Sequence, residues 1–256
     1  MQLYLKAEIK RALLSRPFFV GLALAVVSMA AWIMPEFRHY PDLAEMGRNG
    51  ALYWFIWAHS GYISLFAPIL ATLPFTRSYA EERNGGFSRF VLQRLPSFRY
   101  WVVKLVSNAM AGGLVLALPS AAALCLSTAA FPMYPRPYIE RLPSYFFYDL
   151  GPPAGLVYMG LQVATAFLYG ALSATLGLAA SVLFRNAFIA NISTFTLFMI
   201  VGFLFAFAGF GHLNPMFLWS PSAHTWSTTT SFAAMHFVAW CLGLIVYGRY
   251  FRLREE

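Results

Sequence analysis

The side chains that could do chemistry are concentrated in residues 77–104, between two long apolar segments of a chain that is otherwise poor in charge. This segment holds six basic side chains, the adjacent carboxylates of Glu81 and Glu82, and the pair Gly85 and Gly86. Two adjacent carboxylates could serve a hydrolysis, whereas clustered charges beside a glycine pair could form a docking surface. We therefore expect function in this segment.

A short amphipathic face follows the glycine pair. Four side chains recur at i, i+3, i+4 and i+7, the spacing of one side of a helix: Phe87, Phe90, Val91 and Arg94. Such a helix could insert an apolar knob, formed by Phe87, Phe90 and Val91, into a groove on a partner while charged neighbours fix the orientation. We assign the orienting role to five charged side chains, Glu81, Glu82, Arg83, Arg89 and Arg94.

The amino-acid composition indicates whether the chain folds in water or in a membrane. Of the 256 residues, 59% are hydrophobic and 11% are charged, against roughly 45–50% apolar and about 25% charged in soluble domains. A membrane crossing takes about 20 mostly apolar residues. Lipid offers the backbone no hydrogen-bond partners, so these long apolar runs must form helices, in which the backbone groups pair with one another. The sequence therefore predicts an all-α integral membrane protein that forms a single domain over residues 1–256.

Six apolar stretches are candidate spans. They cover residues 18–34, 58–76, 100–130, 154–184, 187–210 and 232–250. The charged segment 77–99 lies between the second and third spans. A weaker second contact is expected at Arg185 and Asn186, between the fourth and fifth spans.

An additional amphipathic segment precedes the first span. Within residues 1–16, one helical face carries Leu5, Ile9, Ala12 and Leu13, and another carries Lys6 and Lys10. This pattern predicts an interfacial helix. A helical extension of the first span is the alternative.

The basic residues indicate the orientation. Fourteen of the 18 Lys and Arg residues lie in the N-terminal segment, the second and fourth connections and the C-terminal tail. By the positive-inside rule, both termini are expected in the cytoplasm, with the chain a multi-pass protein of the cell membrane. The net charge of +8 then reflects topology and contact with anionic lipids, and no nucleic-acid partner is expected.

The predicted spans contain no acidic residue, and no Lys or Arg away from their ends. Their notable polar groups are His236, Gln162, Asn108 and Asn191. This scarcity argues against an ion-coupled transporter that powers itself. The P-loop pattern of ATP-binding proteins is also missing, and both cysteines lie inside predicted spans, so no cofactor or metal is expected on this chain.

The connection before the sixth span, residues 209–230, carries no formal charge but contains Pro215 and Pro221. We expect it to dip into the membrane as broken short helices, with Trp219 and Trp226 at the headgroup level. It would be either part of an outer gate or a membrane-embedded loop.

Over essentially its whole length the chain resembles the permease subunit of ABC-2 type transporters. The most specific part is the first cytoplasmic loop, where that family has acidic and basic residues, a glycine, an apolar helical turn, a proline and a basic residue that opens the next span. Here Glu81, Glu82 and Arg83 precede Gly85 and Gly86. Then come the turn of residues 87–95, Pro96, Arg99 and Lys104.

This resemblance implies a type V exporter-like fold of six transmembrane helices, with an N-terminal interfacial helix and a cytoplasmic coupling helix. It implies that the chain is not catalytic and that a separate cytoplasmic ABC ATPase subunit binds ATP and Mg²⁺. It also implies a second permease copy or a sister permease. The favoured cargo is amphipathic: a lipid-like molecule, a hydrophobic peptide or an antibiotic.

Two other classes stay open. Glu81 and Glu82 are similar to the paired glutamates of membrane-embedded CAAX-type proteases, although that motif has an arginine four residues after the second glutamate, where Gly86 stands. The other class is a passive channel or an ATP-independent scaffold, for which the sequence shows neither a ring of charges nor a carbonyl filter.

Overall fold

A computed structural model describes residues 2–40, 43–133, 154–184, 186–219 and 229–255. These residues form ten α-helices and two short 3₁₀ turns, and no strand occurs among them. The helices are α1 (Gln2–Leu13), α2 (Arg16–Phe37), α3 (Leu43–Ala58), α4 (Tyr62–Thr72), α5 (Ser78–Asn84), α6 (Phe87–Leu92), α7 (Ser97–Ala130), α8 (Ala154–Leu183), α9 (Ala187–Phe207) and α10 (Thr229–Glu255). The 3₁₀ turns, Gly211–Leu213 and Pro215–Leu218, lie between α9 and α10.

Five helices of the described chain are long and apolar enough to cross a membrane. They lie in α2, α7, α8, α9 and α10, close to five of the six predicted spans. The prediction of an all-α, multi-pass membrane protein is therefore confirmed.

The predicted second span, residues 58–76, differs from the structure. Its helix α4 ends at Thr72 and has 11 residues, which rise only about 16 Å against a hydrocarbon thickness of about 30 Å. The apolar segment instead begins at Gly50, and its two halves meet at an angle of 56°. Gly61 lies at the break with φ of 66°, and a Cβ there would overlap the Trp32 indole. The stretch is thus bent at a glycine whose backbone conformation and contact with Trp32 both disfavour a larger residue.

The N-terminal segment forms its own helix. Ser15 separates α1 from α2 in an extended conformation, and its Oγ accepts a hydrogen bond of 3.2 Å from the Phe18 amide. Pro17 then occupies the first turn of α2, where its missing N–H is not needed. The N-terminal segment is thus a helix of its own, so the alternative of a helical extension of the first span is wrong; its interfacial position stays a prediction.

The core is formed around α8, whose closest neighbour is α7. A Cβ at Gly112 of α7 would lie 2.5 Å from the Cβ of Ala174 of α8, and a Cβ at Gly170 would overlap the Gly112 carbonyl. The small residues Gly170 and Ala174 therefore allow two helices of the same chain to approach closely.

Candidate functional site

The segment between α4 and α7 folds as two short helices joined by a glycine in the left-handed backbone conformation. Gly86 precedes α6 with φ of 73° and ψ of 0°, and an added Cβ would meet no atom within 4 Å. Glycine is required there by the backbone and not by crowding. Gly85 has an ordinary negative φ and ends α5. Of the glycine pair, Gly86 therefore turns the chain at the start of α6.

The outer face of α6 is apolar and basic. Phe87 is 49% exposed and Phe90 is 66% exposed, and the exposed Arg89 and Arg94 flank them. No described acidic side chain forms an ion pair with either arginine. We call these four residues the α6 surface.

Val91 does not belong to this surface, so its predicted role in the apolar knob is wrong. It is buried at 9% exposure and packs in a cluster with Tyr79, Tyr100 and Tyr247. At about 100° per residue, Val91 lies about 40° around the helix from Phe87, towards the buried Ser88. Val91 therefore anchors α6 instead of projecting from it.

The charges of α5 have three different surroundings. Glu81 forms an exposed ion pair with Arg77 at 3.2 Å. Arg83 donates a hydrogen bond of 3.3 Å to the carbonyl of Val182, near the end of α8. Glu82 is 5% exposed, so its predicted role as an orienting charge on an exposed surface is wrong.

Glu82 is buried because it meets a buried ammonium group. Lys104 of α7 is fully buried, and its Nζ lies 2.6 Å from Glu82 Oε1 and 2.6 Å from Glu8 Oε2. The Tyr100 hydroxyl donates a hydrogen bond of 2.8 Å to Glu82 Oε2. Lys104 Nζ also lies 4.9 Å from the centre of the Phe75 ring, a cation–π contact.

Arg11 completes the group, which we call the charged cluster: Glu8, Arg11, Glu82, Tyr100 and Lys104. Its guanidinium contacts Glu82 and lies 3.3 Å from Glu8 Oε1. Two cations thus face two anions, and buried charges are stable only when they are paired in this way. The cluster ties α1, α5 and α7 together.

These contacts keep Glu82 and Arg11 ionised. Burial is the largest influence on Glu82 and raises the pKa of its carboxyl. The charge of Lys104 and hydrogen bonds from Lys104, Tyr100 and Arg11 together outweigh burial and hold that pKa below its ordinary value. Burial likewise lowers the pKa of Arg11, but Glu82 and then Glu8 raise it above its ordinary value.

Sequence reasoning missed four members of the charged cluster. Lys104 was expected only to open a span, Arg11 only to mark the cytoplasmic side with the other basic residues, and no role was expected for Glu8 or Tyr100. One signal was present: Glu8 lies three residues after Leu5 and four before Ala12, on the face that the structure turns inward. A carboxylate on the buried side of a helix requires a buried cation.

Two of the polar groups predicted inside the spans, Asn108 and Gln162, join separate segments of the chain, whereas His236 bonds within its own helix. Asn108 donates a hydrogen bond of 2.6 Å to the Ala174 carbonyl and accepts one of 3.1 Å from Thr76. Gln162 donates to the Trp219 carbonyl at 2.9 Å. His236 is buried, with Nδ1 3.2 Å from the Phe232 carbonyl. Asn186 caps α9, while Arg185 lies outside the described residues.

The segment before α10 forms the two 3₁₀ turns, which confirms short helices over its described part, residues 209–219. Trp219 was expected at the headgroup level, which stays a prediction; its side chain is fully buried within the protein, in the core. Its indole donates a hydrogen bond of 2.9 Å to the His59 carbonyl, at the break between α3 and α4. Trp226 lies outside the described residues.

Within the described chain, no group of three or more His, Cys, Asp or Glu side chains could hold a metal ion. No protein-family model, curated protein or solved structure matches this chain.

Proposed function

We propose that this chain is the permease subunit of an ABC-2 type, type V exporter-like transporter. It would move an amphipathic cargo, such as a lipid-like molecule, a hydrophobic peptide or an antibiotic, with energy from a separate cytoplasmic ABC ATPase. The proposal includes a cell-membrane location with both termini cytoplasmic, and six spans, of which the bent pair of α3 and α4 is the second.

The observation that carries the proposal is the exposed aromatic pair of the α6 surface. Two phenylalanines beside exposed arginines leave apolar area uncovered next to positive charge. Such a surface suits a groove with an apolar floor and an acidic rim. A cytoplasmic ATPase that offers this groove would cover Phe87 and Phe90 and pair with Arg89 and Arg94.

The support beneath this surface favours a role in transmitting force. Val91 anchors α6 in the core, and Glu82 ties the preceding helix to Lys104 of α7 and, through Arg11, to α1. A displacement of α6 would therefore be passed to a long span and to the N-terminal helix. A loosely tethered loop would absorb such a displacement locally.

The remaining surface suits the other proposed partners. Large apolar side chains of α2, α9 and α10 are exposed, including Phe19, Phe203 and Phe237. Membrane lipids and a second permease copy or a sister permease would cover them. ATP and Mg²⁺ would be bound by the ATPase, and this chain would itself bind no cofactor and catalyse no reaction.

The proposal is tested by purifying the tagged chain from its native membrane and identifying what stays bound by mass spectrometry. We expect an ABC ATPase with the wild type and its loss from a variant that carries both Phe87→Asp and Phe90→Asp. The buried carboxylates that this change creates in the docked complex would be unpaired. Phe98→Asp is the matched control, because Phe98 is 64% exposed but lies outside α6. Purification without any ATPase would contradict the proposal.

The two alternatives lack comparable support. Glu81 is paired with Arg77 on the surface. Glu82 is held by three donors that keep its pKa below its ordinary value, whereas a general acid needs a raised pKa. Hydrolysis of a prenylated peptide by the chain alone would favour the enzyme. Ion conductance without any partner would favour the channel.

A further inference from the structure

A cavity of about 400 Å³ lies between the break that joins α3 to α4, the second half of α9 and the 3₁₀ turn Pro215–Leu218. This volume falls within the roughly 300–1,000 Å³ of small-molecule sites. Its walls are largely apolar and include Phe198, Phe203 and Met216. The cavity shares no residue with the α6 surface or the charged cluster.

The cavity reaches an exposed apolar side of the molecule. Two of its lining side chains are also exposed at the surface, Leu65 at 38% and Phe203 at 57%. Leu204 and Phe207, which follow Phe203 in α9, are exposed as well. Because α9 is long and apolar enough to cross a membrane, this side of the chain suits contact with hydrocarbon, and a molecule dissolved in the bilayer has access to the cavity from there.

None of the described residues that line the cavity is Asp, Glu, Lys or Arg. A carboxylate or an ammonium group placed there would lose its hydration and gain no counter-charge, which is unfavourable. The cavity therefore selects against charged ligands.

Most polar side chains of the lining have already used their hydrogen-bond donors. Four of them donate to backbone carbonyls at 2.6–3.0 Å: His59, Ser60, Ser64 and Trp219. These groups have no further N–H or O–H on the bonded atom to give to a ligand.

Asn214 differs because its amide nitrogen is unused. Its Oδ1 accepts a hydrogen bond of 3.0 Å from the Met216 amide, which fixes the orientation of the carboxamide. Its Nδ2 donates to no described residue and is not fully buried. The carboxamide lies against Gly202 of α9, another lining residue, where an added Cβ would lie 2.5 Å from Oδ1 and 2.9 Å from Nδ2. The absence of a side chain at Gly202 thus makes room for a hydrogen-bond donor at the cavity wall.

We propose that this cavity binds a long-chain ester without a charged group, drawn from the membrane, with its hydrocarbon part against Phe198 and Phe203 and its carbonyl oxygen on Asn214 Nδ2. A carbonyl matches this wall because it only accepts hydrogen bonds and the carboxamide has a donor to give. The inference goes beyond the proposed function and does not depend on it, because the site is formed by this chain alone.

The test uses the purified chain in lipid nanodiscs, without any ATPase, and a diazirine-bearing long-chain methyl ester as photolabel. We expect displaceable label on peptides that contain cavity residues. We also expect methyl decanoate to displace it roughly fivefold more effectively than undecane at equal membrane concentration, the difference of about one hydrogen bond. Decanoate, which is charged, should displace it less than the ester does. Equal displacement by the ester and the hydrocarbon would overturn the proposal, as would displaceable label found only outside the cavity.

Asn186 supplies a matched control for Asn214. Each residue accepts a hydrogen bond on Oδ1 from the amide two residues later, at 2.8 Å for Asn186 and 3.0 Å for Asn214, but Asn186 does not line the cavity. Asn→Asp keeps this acceptor oxygen at either position and removes the N–H donor. At alkaline pH, where the new carboxyl is ionised, we expect Asn214→Asp to weaken labelling several-fold and Asn186→Asp to leave it unchanged. Equal labelling of wild type and Asn214→Asp would contradict the assigned role of Asn214. Should Asn214→Asp not fold, the comparison of ester with hydrocarbon on the wild type still decides.

Discussion

Lys104 is fully buried in a protein that has few charges to pair with it. Its position is stable because Glu8 and Glu82 each approach its Nζ to 2.6 Å and the Phe75 ring covers it. These contacts form a closed group, so the loss of any one charge leaves the others without balance. Single substitutions in the charged cluster should therefore have larger effects than substitutions of exposed charges.

We expect Lys104→Met to lower the free energy of unfolding by about 3–5 kcal/mol, because two carboxylates would remain buried without their main cation. Thermal unfolding in detergent measures this loss. The control, Arg77→Met, removes an exposed ion pair and should change stability by about 0.5 kcal/mol or less. If both variants unfold like the wild type, Lys104 is not paired as described.

The pH dependence of stability provides a second test at this scale. The folded-state pKa of Glu82 lies below its ordinary value. Its ionised form therefore stabilises the fold at pH values above the ordinary glutamate range, and this stabilisation is lost as the pH falls through the lowered pKa. We expect stability to fall below about pH 4. The fall should be smaller in Glu82→Gln, whereas Glu81→Gln should behave like the wild type.

At the scale of elements, the sequence predicted helices well and their contacts poorly. The apolar runs and the caps at Ser15 and Asn186 are local signals, and five predicted spans lie close to observed helices. At the break, Gly61 packs against Trp32, a residue from another helix, and the sequence around Gly61 does not show that contact. The inward turn of Glu82 likewise depends on Lys104, 22 residues away.

Two glycines with positive φ allow crowding to be separated from backbone strain. We expect Gly61→Ala to destabilise the protein by at least about 2 kcal/mol, since its backbone region is unfavourable for alanine and the new Cβ would overlap Trp32. Gly86→Ala should cost only about 1 kcal/mol, because nothing lies within 4 Å of its Cβ. Thermal unfolding of both variants in the same detergent checks the order, and equal losses would contradict it.

At the scale of the whole molecule, hydropathy does not identify the central helix. In the apolar 18-residue window of α8 the mean hydropathy is 1.7 and 78% of the residues are buried, whereas in that of α2 the mean hydropathy is 2.1 and 22% of the residues are buried. Lipid tails are as apolar as a protein core, so both locations select similar side chains. The central position of α8 follows instead from its small residues, such as Gly170 and Ala174. Their close contact with α7 is seen only in the packed structure.

The charged cluster also has a consequence for the order in which the chain is made. Glu8 leaves the ribosome before its partner Lys104, which follows 96 residues later. At about 5–20 residues per second, roughly 5–20 s of synthesis separate the two side chains. For most of that interval α1 has neither Glu82 nor Lys104 to hold it, and Lys104 comes last, 22 residues after Glu82, so α1 can dock through the complete charged cluster only after the start of α7 has been made.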